Sequence, residues 1–332
     1  MRKLLALVFC LAMVILNGCS VDDAHSVPGS SQDNLIVVGF SQVGAESEWR
    51  VANTENIKSV FSEENGYMLF FDDARQEQEN QIRAIRMFIQ QDVDYIVFSP
   101  KVETGWNSIL LEAKEAGIPV IVIDRYIEKE DEDLYTAYVG SDFYKEGETA
   151  VKWLENFLEQ RGRTEEPIRI VHIQGTIGST PQLGRTIPLE EAVKRHPNWE
   201  IVAQECGDFT KAKSYEVMSS ILKSTKDIDV VYCENDGEAI GAIAAMEEAG
   251  LMCHPEYGVI VISFDATRRG LEYTLAGKIA LNVECNPLQG PYIDEVIKKL
   301  ERGEHVDRIN YVDETYFDYR TITRKIIDSR GY

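Results

Sequence analysis

From residue 34 onward, short apolar runs alternate with amphipathic segments. The runs fall at 35–40, 67–71, 95–99, 119–123, 137–139, 168–173, 200–204, 230–232, 259–264 and 279–283, and they are rich in Val, Ile, Phe and Tyr. Their hydrophobicity is nearly continuous, the pattern of strands covered on both faces and hence of a parallel sheet. Between them, 78–91 places Ile82, Ile85, Met87 and Phe88 largely on one side of a helix. The segment 106–116 carries Ile109, Leu110 and Ala113 and stops at Gly117-Ile118-Pro119, a helix end before a strand. The segment 238–249 repeats that logic and stops at Gly250. Alternation of this length predicts an α/β fold of two doubly wound parallel-sheet lobes, because there are too many units for one comfortable sheet. The first passage between lobes is placed near Gly140-Ser141-Asp142, with a return near 284–287 and a further passage near the C-terminus. The acidic run 128–133 reads as a solvated loop.

The N-terminus bears on the compartment. Arg2 and Lys3 precede an apolar stretch, 4–16, that is too short to span a bilayer, and Leu16-Asn17-Gly18-Cys19 follows. Residues 1–18 read as a signal peptide. A small residue before cysteine resembles the bacterial lipoprotein signal, which marks Cys19 for lipidation. Residues 19–33, with Pro28, Gly29, Ser30 and Ser31, read as a lipid-anchored flexible tether. The expected location is outside the cytoplasm, on the outer face of the cell membrane or in the periplasm, held by lipid alone.

A formal net charge of −22 argues against nucleic acid, whose affinity rests on Lys and Arg neutralising phosphates. It argues equally against docking on anionic lipid, and it is accounted for by the solubility of an exported protein. Beyond Cys10 and Cys19, Cys206, Cys233, Cys253 and Cys285 remain. Disulfides are permitted in that compartment, and the spacing matches no zinc pattern. Cys206 and Cys233 each close a predicted strand and could be neighbours; the pairing stays open.

Ligands of open parallel sheets bind beyond the carboxyl ends of the strands. The residues there are Ser41, Asp72, Pro100, Asp124 with Arg125, Gln174, Asp208 with Phe209, Asn235 with Asp236, Asp265 and Glu284. Carboxylates, amides and guanidinium forks each hold adjacent hydroxyls, and charge-assisted bonds are the stronger ones. Trp49 and Phe209 could cover the apolar face of a sugar ring. Each residue also has a plainer reading. Asp124, Asn235 and Asp265 could cap helices, Arg125 and Arg185 could form surface ion pairs, and Trp49 and Phe209 could be core aromatics. Trp106 and Phe40 are assigned to packing.

The stretch Gly39-Phe40-Ser41-Gln42-Val43-Gly44-Ala45-Glu46-Ser47-Glu48-Trp49-Arg50 resembles the opening of the galactofuranose-binding proteins of bacterial ABC importers, in the ribose/galactose-type periplasmic binding protein family. Similarity continues through Gln78-Glu79-Asn80-Gln81-Ile82, Glu103-Thr104-Gly105-Trp106, Asp124-Arg125, Gln174-Gly175-Thr176, Gly207-Asp208-Phe209-Thr210, Asn235-Asp236 and Gly331-Tyr332. The resemblance implies a type I periplasmic binding fold with a multi-strand hinge. The N-terminal lobe would span 34–139 plus about 286–313, and the C-terminal lobe 140–285 plus about 314–332. It implies that Asp124 and Arg125 bind ring hydroxyls, that Ser41, Glu46, Trp49 and Arg50 form a first-loop wall, and that Arg185 reaches across from the second lobe. Asn235, Asp265 and Glu284 would complete the ring, with Phe209 near it. The implied ligand is a monosaccharide, the implied partners are ABC permease and ATPase subunits, and the implied state is a monomer. Three departures bear on which sugar is bound. Thr186-Ile187 follows Arg185 where relatives usually carry Gly-Phe, with Pro188 next; Ala266 stands where Gly is common; and Cys285 follows Glu284.

No phosphate cradle, nucleophile elbow or His-Glu-x-x-His motif is present, and the five histidines are scattered. No cofactor, metal or enzymatic activity is expected. Two carboxylates in one cleft would suit acid–base chemistry only if one pKa were raised, and nearby arginines oppose that. The alternative function is a sensor, in which the same clamp presents its closed form to a receptor or histidine kinase.

Overall fold

The computed structural model describes residues Leu35–Tyr332. The expected signal peptide, the tether and Cys19 lie outside the described residues.

The first six-stranded sheet is built from β1 (Ile36–Gln42), β2 (Tyr67–Asp73), β3 (Tyr95–Phe98), β4 (Val120–Ile123), β5 (Ala137–Gly140) and β11 (Ile309–Tyr311), in the order β11-β5-β4-β3-β1-β2. All its pairings are parallel. Helices α1 (Glu48–Val60), α2 (Gln78–Gln90) and α3 (Asn107–Glu115) connect the early strands. The second sheet holds β6 (Ile168–Gln174), β7 (Trp199–Cys206), β8 (Val230–Cys233), β9 (Ile260–Asp265), β10 (Leu281–Glu284) and β12 (Tyr316–Asp318), in the order β12-β10-β9-β8-β6-β7. Only β12 runs antiparallel to its neighbour. Helices α4 (Phe143–Gln160), α5 (Thr180–Arg195), α6 (Lys211–Ile221), α7 (Asp236–Glu248) and α8 (Arg268–Leu275) belong with this sheet, while α9 (Gly290–Glu301) packs on α1 and β5; α10 (Arg324–Asp328) closes the chain. The architecture is the type I periplasmic binding fold.

Period-two alternation explains why the strands form and where they sit. In β3 and β4, Ile96, Phe98, Val120 and Val122 enter one core, while Tyr95, Val97, Ile121 and Ile123 enter the core on the opposite face. The second sheet divides likewise: Ile170, Val230, Tyr232 and Ile262 face one core, and Val171, Val231, Cys233 and Val261 the other. Each such burial contributes on the order of 1.5–3 kcal/mol. Gly39 lets α2 close on β1, since a Cβ there would lie 2.5 Å from the Phe88 ring.

Several sequence expectations need adjustment. Met87 is 42% exposed, because it lies one residue round the helix from the buried Phe88. The acidic run forms a 3-10 helix, Lys129–Leu134, and buried Asp131 accepts from Asn107 Nδ2 at 2.6 Å at the start of α3, so it is not wholly a solvated loop. Cys206 and Cys233 end strands that flank β6 on opposite sides. Two strand spacings, about 9.5 Å, are too far for a disulfide. All four described cysteines are free thiols.

Candidate ligand-binding cleft

The carboxyl ends of both sheets face one cavity with an empty volume of about 290 Å³. The first half builds its wall from the β1–α1 connection and the end of β4. Ser47 caps α1 by accepting from Arg50 N–H, which turns Trp49 and Arg50 into the cavity wall. Arg50 donates through Nε to Glu46 at 3.0 Å and through Nη1 to Asp124 Oδ2 at 2.6 Å. Ser99 Oγ also donates to Asp124, at 2.8 Å. Burial pushes the Glu46 carboxyl up, but Arg50 and Arg125 outweigh it and hold it below its ordinary value. Burial alone would lower the Arg50 pKa, yet Asp124 and Glu46 raise it well above the usual range. Arg125 goes the other way: desolvation, then its neighbour Arg50, lower it. Arg125 donates to Lys101 C=O at 2.8 Å, and its Nε is buried with no acceptor in the protein.

The second half supplies Arg185 from the second turn of α5. Its Nε donates to Glu146 Oε2 at 2.7 Å, Nη1 donates to the Glu234 carbonyl, and Nη2 lies 3.7 Å from Asp265. Burial raises the Asp265 pKa well above its usual value, against the pull of Arg185. Asn235 caps α7 through Oδ1 and donates through Nδ2 to Phe209 C=O at 3.1 Å, so the capping reading and the cleft placement both hold for this residue. Glu238 accepts from Phe209 N–H at 2.8 Å, and Gly175 leaves room for the ring, since a Cβ there would lie 1.9 Å from it. The Phe209 ring sits 5.6 Å below the Arg125 guanidinium, across the cleft.

Contacts join the halves around this cavity. Trp49 Nε1 donates to Cys285 C=O at 2.6 Å, Tyr126 N–H to Thr180 Oγ1 at 3.0 Å, and Glu103 N–H to Gly178 C=O at 3.3 Å. Glu48 and Arg269 pair at 3.6 Å at the rim.

Nine sequence candidates therefore line one cavity: Glu46, Trp49, Arg50, Asp124, Arg125, Arg185, Phe209, Asn235 and Asp265. Two do not. β1 runs past Phe40 to Gln42, so Ser41 remains in the ladder opposite Asp72 and Phe98 and is fully buried. Glu284 is still within β10, and its carboxylate accepts from Thr315 N–H, Arg330 and Tyr332 on the C-terminal side. The sequence reading missed Ser47, Phe143, Pro181 and Cys285 as wall residues. Phe143 and Cys285 follow β5 and β10, so carrying the strand-end search one or two residues further would have found them. Among the described residues, Glu146, Cys285 and Glu314 bring metal-type ligand atoms within 4.8 Å of one another. Glu146 already carries the Arg185 guanidinium, whose charge opposes a cation there.

Two sheet-and-helix halves enclosing a charged, aromatic-walled cavity define a solute-binding protein. Residues 38–299 match the family described as periplasmic binding protein domain, and the chain belongs to that family. Among its relatives, galactofuranose-binding protein YtfQ of Escherichia coli (strain K12) is 38% identical over 286 residues, covering 85% of this chain and 87% of the relative. A Mycobacterium smegmatis structure in complex with β-D-fucofuranose is 44% identical, with a TM-score of 0.80 over 86% of this chain and 92% of that one. The binding protein of an arabinose ABC transporter from Shewanella sp. ANA-3, bound to α- and β-L-arabinofuranose, is 35% identical, with a TM-score of 0.78 over 86% and 92%. These homologues are solute-binding proteins, not enzymes.

Proposed function

We propose that this protein binds one neutral monosaccharide in its furanose form between the two halves. It then delivers that sugar to the permease and ATPase subunits of an ABC importer, from an exported, Cys19-lipidated monomer. The halves act as hinged lobes, 34–139 plus about 286–313 and 140–285 plus about 314–332. The observation that carries this reading is the buried Arg125 Nε, which makes no hydrogen bond although Asp124 Oδ2 lies 3.7 Å away, in a cavity whose three guanidiniums are each paired with a carboxylate. A desolvated guanidinium N–H gains most from an oxygen acceptor, and a ring or hydroxyl oxygen supplies one without adding charge. Trp49, Phe143 and Phe209 offer faces to the C–H side of a small ring. The relatives named for furanoses support the choice of ring form.

Thermal-shift and calorimetric titration with D-galactose, D-fucose and L-arabinose test this. Each of these free sugars equilibrates with its furanose. At least one should raise the melting temperature, with ligand at 100 times Kd adding about 2.7 kcal/mol. Methyl β-D-galactopyranoside, locked in the six-membered ring, should not. Equal binding of the locked pyranoside, or no response to any of the three sugars, would defeat the proposal.

A further inference from the structure

The chain passes between the halves three times, and all three passages meet at one side chain. Ser141 lies on the first passage, between β5 and α4. Cys285 and Asn286 lie on the second, after β10, and Glu314 lies on the third, between β11 and β12. Ser141 Oγ donates to Glu314 Oε1, and Asn286 N–H donates to the same oxygen at 2.8 Å. Asn286 Nδ2 also reaches Asp313 C=O at 3.3 Å. From this joint the contacts run into the cleft. Ser141 Oγ is 3.3 Å from Cys285 Sγ, and the Cys285 carbonyl accepts from the Trp49 indole N–H. Glu314 does not itself line the cleft.

We propose that Glu314 is a positioning residue for ligand binding: its Oε1, accepting from the first and second passages, ties the three passages together and so fixes where Cys285 and Trp49 stand in the wall. The inference rests on the sugar-binding reading for its affinity readout, and on the joint alone for its proton readout. Burial, then the neighbouring Glu146, push the Glu314 carboxyl up to about 9. The bonds donated by Ser141 and Asn286, and then Arg185, oppose that shift without cancelling it. Cys285 and Tyr138 face the same cluster, and both are raised by burial. Asp142, Lys145, Glu284, Tyr311 and Tyr316 line the cavity behind it. A raised acid pKa means that the joint holds a proton that a solvated Glu314 would release. Its contribution is therefore full below the ordinary carboxyl value of 4.5 and is lost as pH rises through about 9.

Glu314→Gln keeps both acceptor bonds and cannot ionise, whereas Glu314→Ala leaves two buried donors without a partner. The first readout is calorimetric affinity for D-galactose, D-fucose or L-arabinose from pH 6 to 10. Wild type should weaken as pH rises, Gln should match wild type near pH 6 and stay flatter above it, and Ala should be about tenfold weaker or more throughout. Ala binding as tightly as wild type, or Gln and wild type sharing one pH course, overturns the proposal. The second readout is the melting temperature of the unliganded proteins over the same range. Wild type should fall relative to Gln with rising pH, and parallel curves overturn the protonated joint even if no sugar binds. Failure of every sugar to bind wild type, with diverging melting curves, would instead sink the proposed ligand and leave the joint standing.

Discussion

Replacing Arg185 by Ala should cost more stability than a binding residue usually does. The side chain is 2% exposed, bonded to Glu146 at 2.7 Å and to the Glu234 carbonyl, and stacked 4.8 Å from the Phe264 ring. Breaking a buried ion pair by removing one partner costs about 3–5 kcal/mol, because the other charge stays desolvated. For a unit of this size, at about 2 °C per kcal/mol, that is a fall of roughly 6–10 °C in melting temperature. The deficit should depend on pH. Burial raises the Glu146 carboxyl to about 7, against the opposing pull of Arg185. Being raised, its stabilising protonation is complete below 4.5 and is lost as pH climbs through about 7. Without Arg185 the carboxyl rises further, so the variant's loss should be large near pH 8 and shrink towards pH 5. Urea unfolding at both pH values measures this, with Glu146→Gln and the double variant closing a cycle. A coupling energy below about 0.5 kcal/mol would refute the buried-pair argument, as would a deficit independent of pH. Loss of sugar binding by this variant must then be read with its unfolded fraction subtracted.

Other changes separate the cleft's parts more cleanly. Asp124→Asn removes the charge facing Arg50 at 2.6 Å, and calorimetry should show a loss of sugar affinity on the order of 2–5 kcal/mol. Trp49→Phe keeps a ring face but deletes the bond to Cys285 C=O, and about 1 kcal/mol of affinity should go with it. Ala266→Gly should raise the unfolding free energy by up to about 1 kcal/mol, because Ala266 is held at φ +54° by its N–H bond to Asn282 and by the bond of the next residue, Thr267, to Asp236. In a native thiol titration Cys206 should react first, while buried Cys233, Cys253 and Cys285 should react only on unfolding; failure of any of these four to react in the denatured protein would mean a disulfide.

The apolar runs disclosed ten strands because most are blocks of Val, Ile, Phe or Tyr buried on two faces, while the edge strands β2 and β7 are only half-buried and still carry a recognisable apolar run. β11 (Ile-Asn-Tyr) and β12 (Tyr-Phe-Asp) escaped, since three-residue edge strands carry no such block. The cleft was legible to the degree that its residues follow strands directly: Asp124, Arg125, Phe209, Asn235 and Asp265. Glu46, Arg50 and Arg185 lie in a loop or in helical turns and came from family resemblance, while Trp49, also in a helical turn, was marked as an aromatic that could cover a sugar ring. Ser41 lies off the cavity because β1 continues past it, and Glu284, the last residue of β10, because its carboxylate is committed to Thr315, Arg330 and Tyr332. Pairing partners such as Glu146, Glu234 and Glu238 carry no local signal. They matter because of distant residues that bring them a guanidinium or a backbone N–H.

The rim of this cleft is also where the backbone is least relaxed. Asp124, Asp208, Phe209, Asp265 and Ala266 all adopt positive φ, and each follows or ends a strand pointing at the ligand cavity. Such conformations cost on the order of 1–3 kcal/mol apiece in non-glycine residues and persist only where the surroundings over-determine them. Here the restraints are visible. Tyr138 Oη donates to the Asp124 carbonyl, Glu238 accepts from Phe209 N–H, and Asp236 with Asn282 holds Ala266 and Thr267. Asp236 is itself raised by burial to about 6, so even this anchor is held against a desolvation cost. The second layer of carboxylates thus fixes backbone, while the first layer's carboxylates and guanidiniums hold one another in place at the cavity wall. That division explains how a site with three guanidiniums can stay rigid and still receive an uncharged ligand. Each cation is neutralised from behind or beside, and only directional hydrogen bonding is presented to the sugar.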